Sequence, residues 1–416
     1  MSTVDTARPS APRVTLASPL YRGATVSMFL SGLGMSAAAP QIGLFLVNDL
    51  HVSLTTAGLY YLTNLTAPIA GYLIGARSDR TGRRLGLFRL CAVAGFLGWL
   101  GIAFATQPWI PFVISAFVLG FAGAAGSQLF TAIHDDLRGN PVGDEVVSIV
   151  RMALTAGWVI GPVVGSFLAG AVGPRVMLAL TALCALAQIF PLGFRNTPAA
   201  PQAPKAGHGR PALRAMLPLL TFCGLFVLAY AGEPIRYAYL PIYMQDRLGV
   251  PPVVSGAVMA IQTFVELFLM PLAVVAARRI GALRLTAVGG LFGVAAYLCF
   301  SFSGNVIGIV AGQVLMGCIW GVLAALGIVV AQRLLPQAVA TASAIFMTST
   351  AFSSALGGLT GGLGVSLLGL PLVFLAPAFY CVIATAGLTI MSRHALPRTR
   401  TGSAWGAKAG YPRRQR

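Results

Sequence analysis

Residues 285–332 read LTAVGGLFGVAAYLCFSFSGNVIGIVAGQVLMGCIWGVLAALGIVVAQ, 48 positions without an aspartate, glutamate, lysine or arginine. Residues 334–392 add a further 59 positions of the same kind. The hydrocarbon core of a bilayer takes roughly 20 apolar residues per helical crossing, so each run holds two crossings. Ser303-Gly304-Asn305 and Gly369-Leu370-Pro371 supply the turns that divide them. The alternation of apolar stretch and turn continues outward over all 416 residues, of which 57% are hydrophobic and 9% charged. Soluble domains carry about a quarter of their residues as charges. A cytosolic enzyme, a disordered chain and a disulfide-stapled module are therefore excluded as classes, and the fold expected is an all-α integral membrane protein.

Twelve apolar segments follow, near 22–46, 56–76, 86–105, 110–133, 146–170, 174–194, 214–243, 253–277, 284–302, 306–332, 338–366 and 370–392. With the N-terminus inside, they place 25 of the 28 lysines and arginines on one face of the membrane. Arg175 and Arg247 fall on the other face, and Arg236 lies at membrane depth. The positive-inside rule expects this skew, and shifting the count by one segment destroys it. Both termini are thus expected in the cytoplasm, in a multi-pass protein of the inner (cytoplasmic) membrane. Residues 1–20 are polar and contain prolines, so the first segment is expected to act as an uncleaved anchor. The formal charge of +18 reads as topology, and no nucleic-acid partner is expected. Cys91, Cys184, Cys223, Cys299, Cys318 and Cys381 all fall in apolar segments without a C-x-x-C, as small buried hydrophobes do.

The longest interior polar connection carries Pro198, Pro201, Pro204, Lys205, Gly207, His208 and Pro211, the composition of a flexible linker. It divides the chain into an N-tail (1–21), a six-helix bundle (22–195), a linker (196–213), a second six-helix bundle (214–392) and a basic tail (393–416). Ala67-Pro68-Ile69-Ala70 and Met270-Pro271-Leu272-Ala273 each lead into an arginine-rich loop, a faint echo between the halves. Paired bundles of this kind place a solute site between the halves near the bilayer midplane.

The loop after the second segment reads Gly75-Ala-Arg-Ser-Asp79-Arg80-Thr-Gly82-Arg83-Arg84. Gly82 permits a tight turn, the arginines hold the cytoplasmic side, and Asp79 can pair with an arginine or a helix N-terminus. A topogenic loop accounts for the arginines but not for Asp79 or the glycine spacing. The form G-x-x-x-D-R-x-G-R-R resembles the loop of the major facilitator superfamily. That resemblance implies two six-helix bundles that this loop latches together in one state and releases in another. The later copy, Arg278-Arg279-Ile-Gly281, lacks the aspartate. Segment five carries Gly157-Trp158-Val-Ile-Gly161-Pro162-Val-Val-Gly165, where small residues four apart let helices approach and Pro162 bends the chain. It resembles an element of drug–proton antiporters, and it also reads as plain close packing that permits rocking.

Charges at membrane depth are costly and point to function. Three stand out: Glu233 and Arg236 in segment seven, and Glu266 in segment eight, with Gln262 one turn before it. Glu266 lies thirteen residues past Val253 and so near the bilayer centre. It suits a group that gains and loses a proton during transport; the other reading makes it a structural partner of Arg236 or Arg151. Glu233 and Arg236, three apart, read either as a mutually neutralising pair or as ligand contacts. Around them stand Tyr230, Pro234, Tyr237, Tyr239, Pro241 and Tyr243, and both prolines leave a carbonyl unpaired. Broken helices and mixed aromatic and polar side chains suit a polyol. An interfacial aromatic belt is the competing reading, and it fits Tyr243 and Tyr239 best. Gln41, Asn64, Gln128, Trp158 with Arg151 seven before it, and Gln313 with Trp320 are further polar candidates, for ligand contact or for packing. His134-Asp135-Asp136 reads as a solvated helix end, because three adjacent helical residues cannot all face one metal ion.

No nucleotide-binding G-x-x-x-x-G-K-[ST], H-E-x-x-H or G-x-S-x-G is written in the chain. Neither a cofactor nor enzymatic chemistry is expected, and transport energy comes from a gradient. Ala39-Pro40-Gln41-Ile-Gly-Leu-Phe-Leu46, Gln128-Leu129-Phe130, the Arg151/Trp158 spacing and Glu266 together resemble the bacterial sugar efflux transporter family over most of the chain. Glu233 and Arg236 depart from that family's helix seven. The resemblance implies proton-driven export of sugars, glycosides or sugar-like molecules, and a monomer is expected. The alternative is a drug or antibiotic–proton antiporter, although segment four lacks the arginine usual there. A non-transporting sensor would need an appended domain.

Overall fold

The computed structural model describes residues 10–137, 140, 142–193 and 213–394. Twelve crossings succeed one another: α1 (Pro19–Asp49), α2 (54–81), α3 (Arg84–Ala103), α4 (Trp109–Asp136), α5 (Gly143–Val172) and α6 (Pro174–Leu192), then α7 (Leu213–Arg247), α8 (Pro252–Ile280), α9 (Ala282–Phe302), α10 (Val306–Leu334), α11 (Thr341–Leu368) and α12 (Leu372–Arg393). All but α2 are long and apolar enough to span a bilayer by composition alone. Threonines, three tyrosines and Asn64 dilute α2. The expected linker, nearly all of the C-tail and the first nine residues of the N-tail lie outside the described residues. Within the stretch expected as plain N-tail, a short helix (Ala11–Ala17) packs against α1 and α5. The expected boundaries otherwise shift by only a few residues.

Buried apolar side chains group separately in the two halves. One cluster spans Leu219 to Leu388, and the other two lie between Ala11 and Leu192. Outward-facing apolar residues such as Leu367 (83% exposed) and Ile307 (81% exposed) would be anomalous in water and are ordinary against lipid tails. In the first half α5 lies along α1 with almost no side chain between them. A Cβ on Gly157 would meet the backbone of Phe29 and Leu33, one on Gly161 that of Leu33, and one on Gly165 that of Ala37. Small residues at this spacing let backbones approach directly.

Local chemistry sets the ends and the breaks. Gly82 closes α2 in the left-handed region (φ 64°), where a side chain is disfavoured, and its N–H caps the Ser78 carbonyl at 2.8 Å. Asn305 opens α10 by accepting the Gly308 N–H at 2.9 Å. Inside α2, Tyr60–Thr66 winds as a 3₁₀ helix, in which side chains three apart eclipse, so Tyr61 and Asn64 share a face. In α7 the helix Leu213–Tyr230 stops at Ala231 and restarts as Gly232–Ile242, the break expected from Pro234.

One end of the bundle, the motif end, gathers the loop of Gly75–Arg84 with the start of α1 and the end of α4. Arg84 Nη1 bonds Asp79 Oδ1 at 2.6 Å, its Nε bonds Asp135 Oδ2 at 3.2 Å, and Tyr21 Oη donates to Asp136 Oδ2 at 2.6 Å. The sequence reading of His134-Asp135-Asp136 as a solvated end holds for His134 and Asp136, which are exposed, and is corrected for Asp135, which is largely covered and accepts from Arg84. At the far end Arg175 donates to the carbonyls of Ala103 and Ala105. The contacts between halves lie toward this far end. Gly43 abuts Ala238, Gly58 abuts Gly362, and Gly256 abuts the Pro162 carbonyl and Ser166.

Candidate functional site

Between the halves lies a cavity of two lobes. The first, about 340 Å³, is lined from α2 by Tyr60, Tyr61, Thr63 and Asn64, and elsewhere by Trp99, Ser115, Trp158 and Ser354. The second, about 320 Å³, is lined by Thr155, Gln262, Thr263, Glu266 and Trp320. Trp158, Tyr230, Glu233 and Tyr237 border both and form the waist. The break at Ala231 turns the latter three toward the cavity.

The two membrane-depth carboxylates have different surroundings. Glu233 accepts from Arg236 Nε at 3.2 Å, from Arg236 Nη2 at 2.8 Å and from Trp320 Nε1 at 2.8 Å. Arg236 is 0% exposed, and its Nη1 reaches Gln313 Oε1 at 3.2 Å. Gln313 Nε2 in turn points at Met259 Sδ, 3.2 Å away. The guanidinium stands 4.3 Å from the Tyr237 ring centroid, and Trp320 meets Tyr230 edge-on at 4.5 Å. The pair is thus locked inside the second half, with only the carboxylate edge reaching the cavity. Glu266 accepts a long 3.5 Å bond from Gln262 Nε2, and no cation pairs with it among the described residues.

Of the polar residues singled out in the sequence, the cavity brings together Asn64, Trp158, Tyr230, Glu233, Tyr237, Gln262 and Glu266. Others lie elsewhere. Gln41 donates to Ser166 Oγ at 2.7 Å and ties α1 to α5. Gln313 and Arg236 back the cavity wall from behind. Gln128 is buried, and its Oε1 has no partner among the described residues. Arg151 is exposed on α5, with its guanidinium 6.0 Å from the Phe130 ring centroid. Tyr239 and Tyr243 do not form an aromatic belt. Both are buried, and their hydroxyls donate to the carbonyls of Leu54 and Ser303, each at 2.9 Å. Missed in the sequence were Tyr60, Tyr61, Thr63, Trp99 and Ser354. The signal for the first three was present: a polar, aromatic stretch inside the least apolar crossing.

A family model described as the Major Facilitator Superfamily matches residues 24–253 and 221–411. Sugar efflux transporter A of Dickeya chrysanthemi is 26% identical over 332 residues, covering 78% of this chain and 84% of that protein. Sugar efflux transporter A of Escherichia coli K12 is 24% identical over 349 residues, covering 82% and 88%. Among solved structures, the nucleoside transporter NupG superposes with a TM-score of 0.74 at 18% identity, covering 90% of this chain and 99% of that one. A D-xylose–proton symporter gives 0.69 at 18% identity, covering 89% and 96%.

Proposed function

The chain belongs to the Major Facilitator Superfamily, and from that premise we propose that it is a proton-coupled exporter of sugars, glycosides or sugar-like solutes. The substrate class is carried over from relatives named as sugar efflux transporters, aligned over about four-fifths of the chain. The observation that carries the reading is the cavity itself. Tyrosine and tryptophan faces, together with asparagine, serine and threonine, suit a solute with apolar ring faces and many hydroxyls. Glu266 is the proton site in this reading, because Glu233 is already neutralised by Arg236 and Glu266 has no cationic partner.

Sidedness follows from the charge skew: the motif end and both termini face the cytoplasm of a bacterial inner-membrane protein. Residues 22–195 and 214–392 then act as two rocking bodies, closed toward the outside in this state and able to take solute from within. Asp79, 75% exposed at its side chain and bonded to Arg84 of its own half, is here the released form of the latch. Gly75, Arg80, Gly82 and Arg83 present it for engagement when the motif end closes. The Gly157/Gly161/Gly165 face lets α5 and α1 move as one piece, with Pro162 at the crossing with α8. The transporting unit is a monomer, since each chain contains both walls of the cavity.

Counterflow in proteoliposomes, with labelled glycosides and cationic drugs in parallel, tests this reading. Glycoside exchange, and its acceleration by an imposed acid difference, is the expected result. Movement of cationic drugs with no movement of any glycoside would replace it with the drug antiporter reading.

A further inference from the structure

Among the described residues, two hydrogen bonds join the halves through side chains: Tyr239 Oη to the Leu54 carbonyl near the far end, and Asn64 Nδ2 to Ser354 Oγ at 2.7 Å beside the cavity. They stand at opposite ends of one seam. Between them α2 and α11 meet nearly backbone to backbone. Gly58 lies on Gly362, and Gly358 on the Gly58 carbonyl and Tyr61. The Tyr239 bond comes from a fully buried side chain that does not line the cavity. The Asn64 bond is open to the cavity: Asn64 is exposed, and both Asn64 and Ser354 line the first lobe. Asn64 Oδ1 accepts no bond from the described residues, so the side chain has an acceptor to offer beside its committed donor.

We propose that Asn64 and Ser354 form a subsite for a hydroxyl group of the solute, and that its binding there replaces the bond joining the halves, so that occupancy unlocks the seam. A hydroxyl both donates and accepts. It can take the Asn64 N–H that Ser354 now holds and satisfy Ser354 in return, so both side chains stay bonded while the halves part. A solute without hydroxyls at this position leaves the bond in place. The 3₁₀ winding of Tyr60–Thr66 aims Asn64 at this point and puts Tyr61 on the same face as a platform for the ring that bears the hydroxyl. The inference rests on the reading of the chain as a carrier of hydroxylated solutes and specifies where such a solute acts on the fold.

Spin labels on Gln107→Cys and Gly304→Cys test it. Both positions are exposed, in the far-end connections of opposite halves, and the chain without the two introduced cysteines, treated with the same label, supplies the background from its six native cysteines. Pulsed electron resonance reads the distance between labels with and without methyl glycosides, and counterflow is measured on the same preparations. In the parent pair, added glycoside should lengthen the distance. Asn64→Ala and Ser354→Ala should show the longer distance without solute and lose most of the solute-driven change. The half-saturating glycoside concentration should rise about two- to tenfold, the span of one net hydrogen bond. Ser354→Thr, which keeps the hydroxyl, should restore the parent response and controls for folding. The parent response at an unchanged half-saturating concentration in both alanine variants, with counterflow intact, overturns the subsite alone. Absence of counterflow in the parent overturns the transport reading and the subsite with it.

Discussion

Replacing Glu233 by glutamine should be among the most damaging single changes available within the bilayer, and its partner substitution should reverse the damage. Glu233→Gln removes the negative charge and the 2.8 Å bond from Arg236 Nη2, while an amide oxygen in the Oε1 position can still accept from Arg236 Nε and Trp320. Arg236 is left fully buried with its charge unbalanced, and only neutral acceptors, the amide oxygen, Gln313 and the Met259 sulfur, are at hand. An uncompensated buried charge of this kind costs about 3–5 kcal/mol. Changing both residues, to Glu233→Gln and Arg236→Met, removes the charge as well as its partner, and such replacements are often neutral or stabilising. The two substitutions should therefore be strongly non-additive, with a coupling of about 3 kcal/mol. The assay is the fraction of monodisperse protein after graded heating in detergent, read by size exclusion for the parent, both single variants and the double. If the single variants lost less than about 1 kcal/mol, or if the two losses simply added, the locked-pair description would be wrong.

Three further outcomes are expected. Glu266→Gln should abolish acid-driven export with protein abundance near normal, measured as flux under an imposed pH difference; unchanged flux would remove Glu266 from the coupling role. Gly161→Val should cut folded protein severely, because even a Cβ there would overlap Ser36 Oγ and the Leu33 carbonyl, whereas Gly71→Ala, with open space around it, should express as the parent does. Gly82→Ala should cost about 1 kcal/mol in the left-handed turn that presents Asp79, slowing transport more than it lowers abundance; equal transport would show that the turn does not matter.

The number of crossings, their order and the charge skew were legible because burial in lipid is written in composition along the chain. Even α2 is legible, although its apolar content alone does not qualify it, because the arginine loop of Gly75–Arg84 marks its end. The break in α7 was also readable, since Pro234 removes a donor wherever it stands. Partnerships between distant helices were not. Nothing near Gln41 announces Ser166, and nothing near Asn64 announces Ser354. Tyr239 and Tyr243 look like belt residues until α2 and α9 are placed beside them. Gln313 and Trp320 read alike in the sequence, for ligand contact or for packing, yet one stands behind Arg236 and the other reaches the cavity edge. Polar residue type shows that a bond will be made, and only the packing of helices decides with whom.

The weak hydropathy of α2 bears on how the molecule is made. The threonines, tyrosines and asparagine that equip this crossing to meet a solute also weaken its own partition from the insertion machinery into lipid. Its entry into the membrane then depends on company. α1 before it and α3 after it are apolar enough to enter alone, and the bonds from Thr63 and Thr66 to α4 become available only once that later helix has emerged. Biogenesis of the first half is accordingly cooperative, and a lesion that delays α4 should leave α2 stranded at the membrane surface.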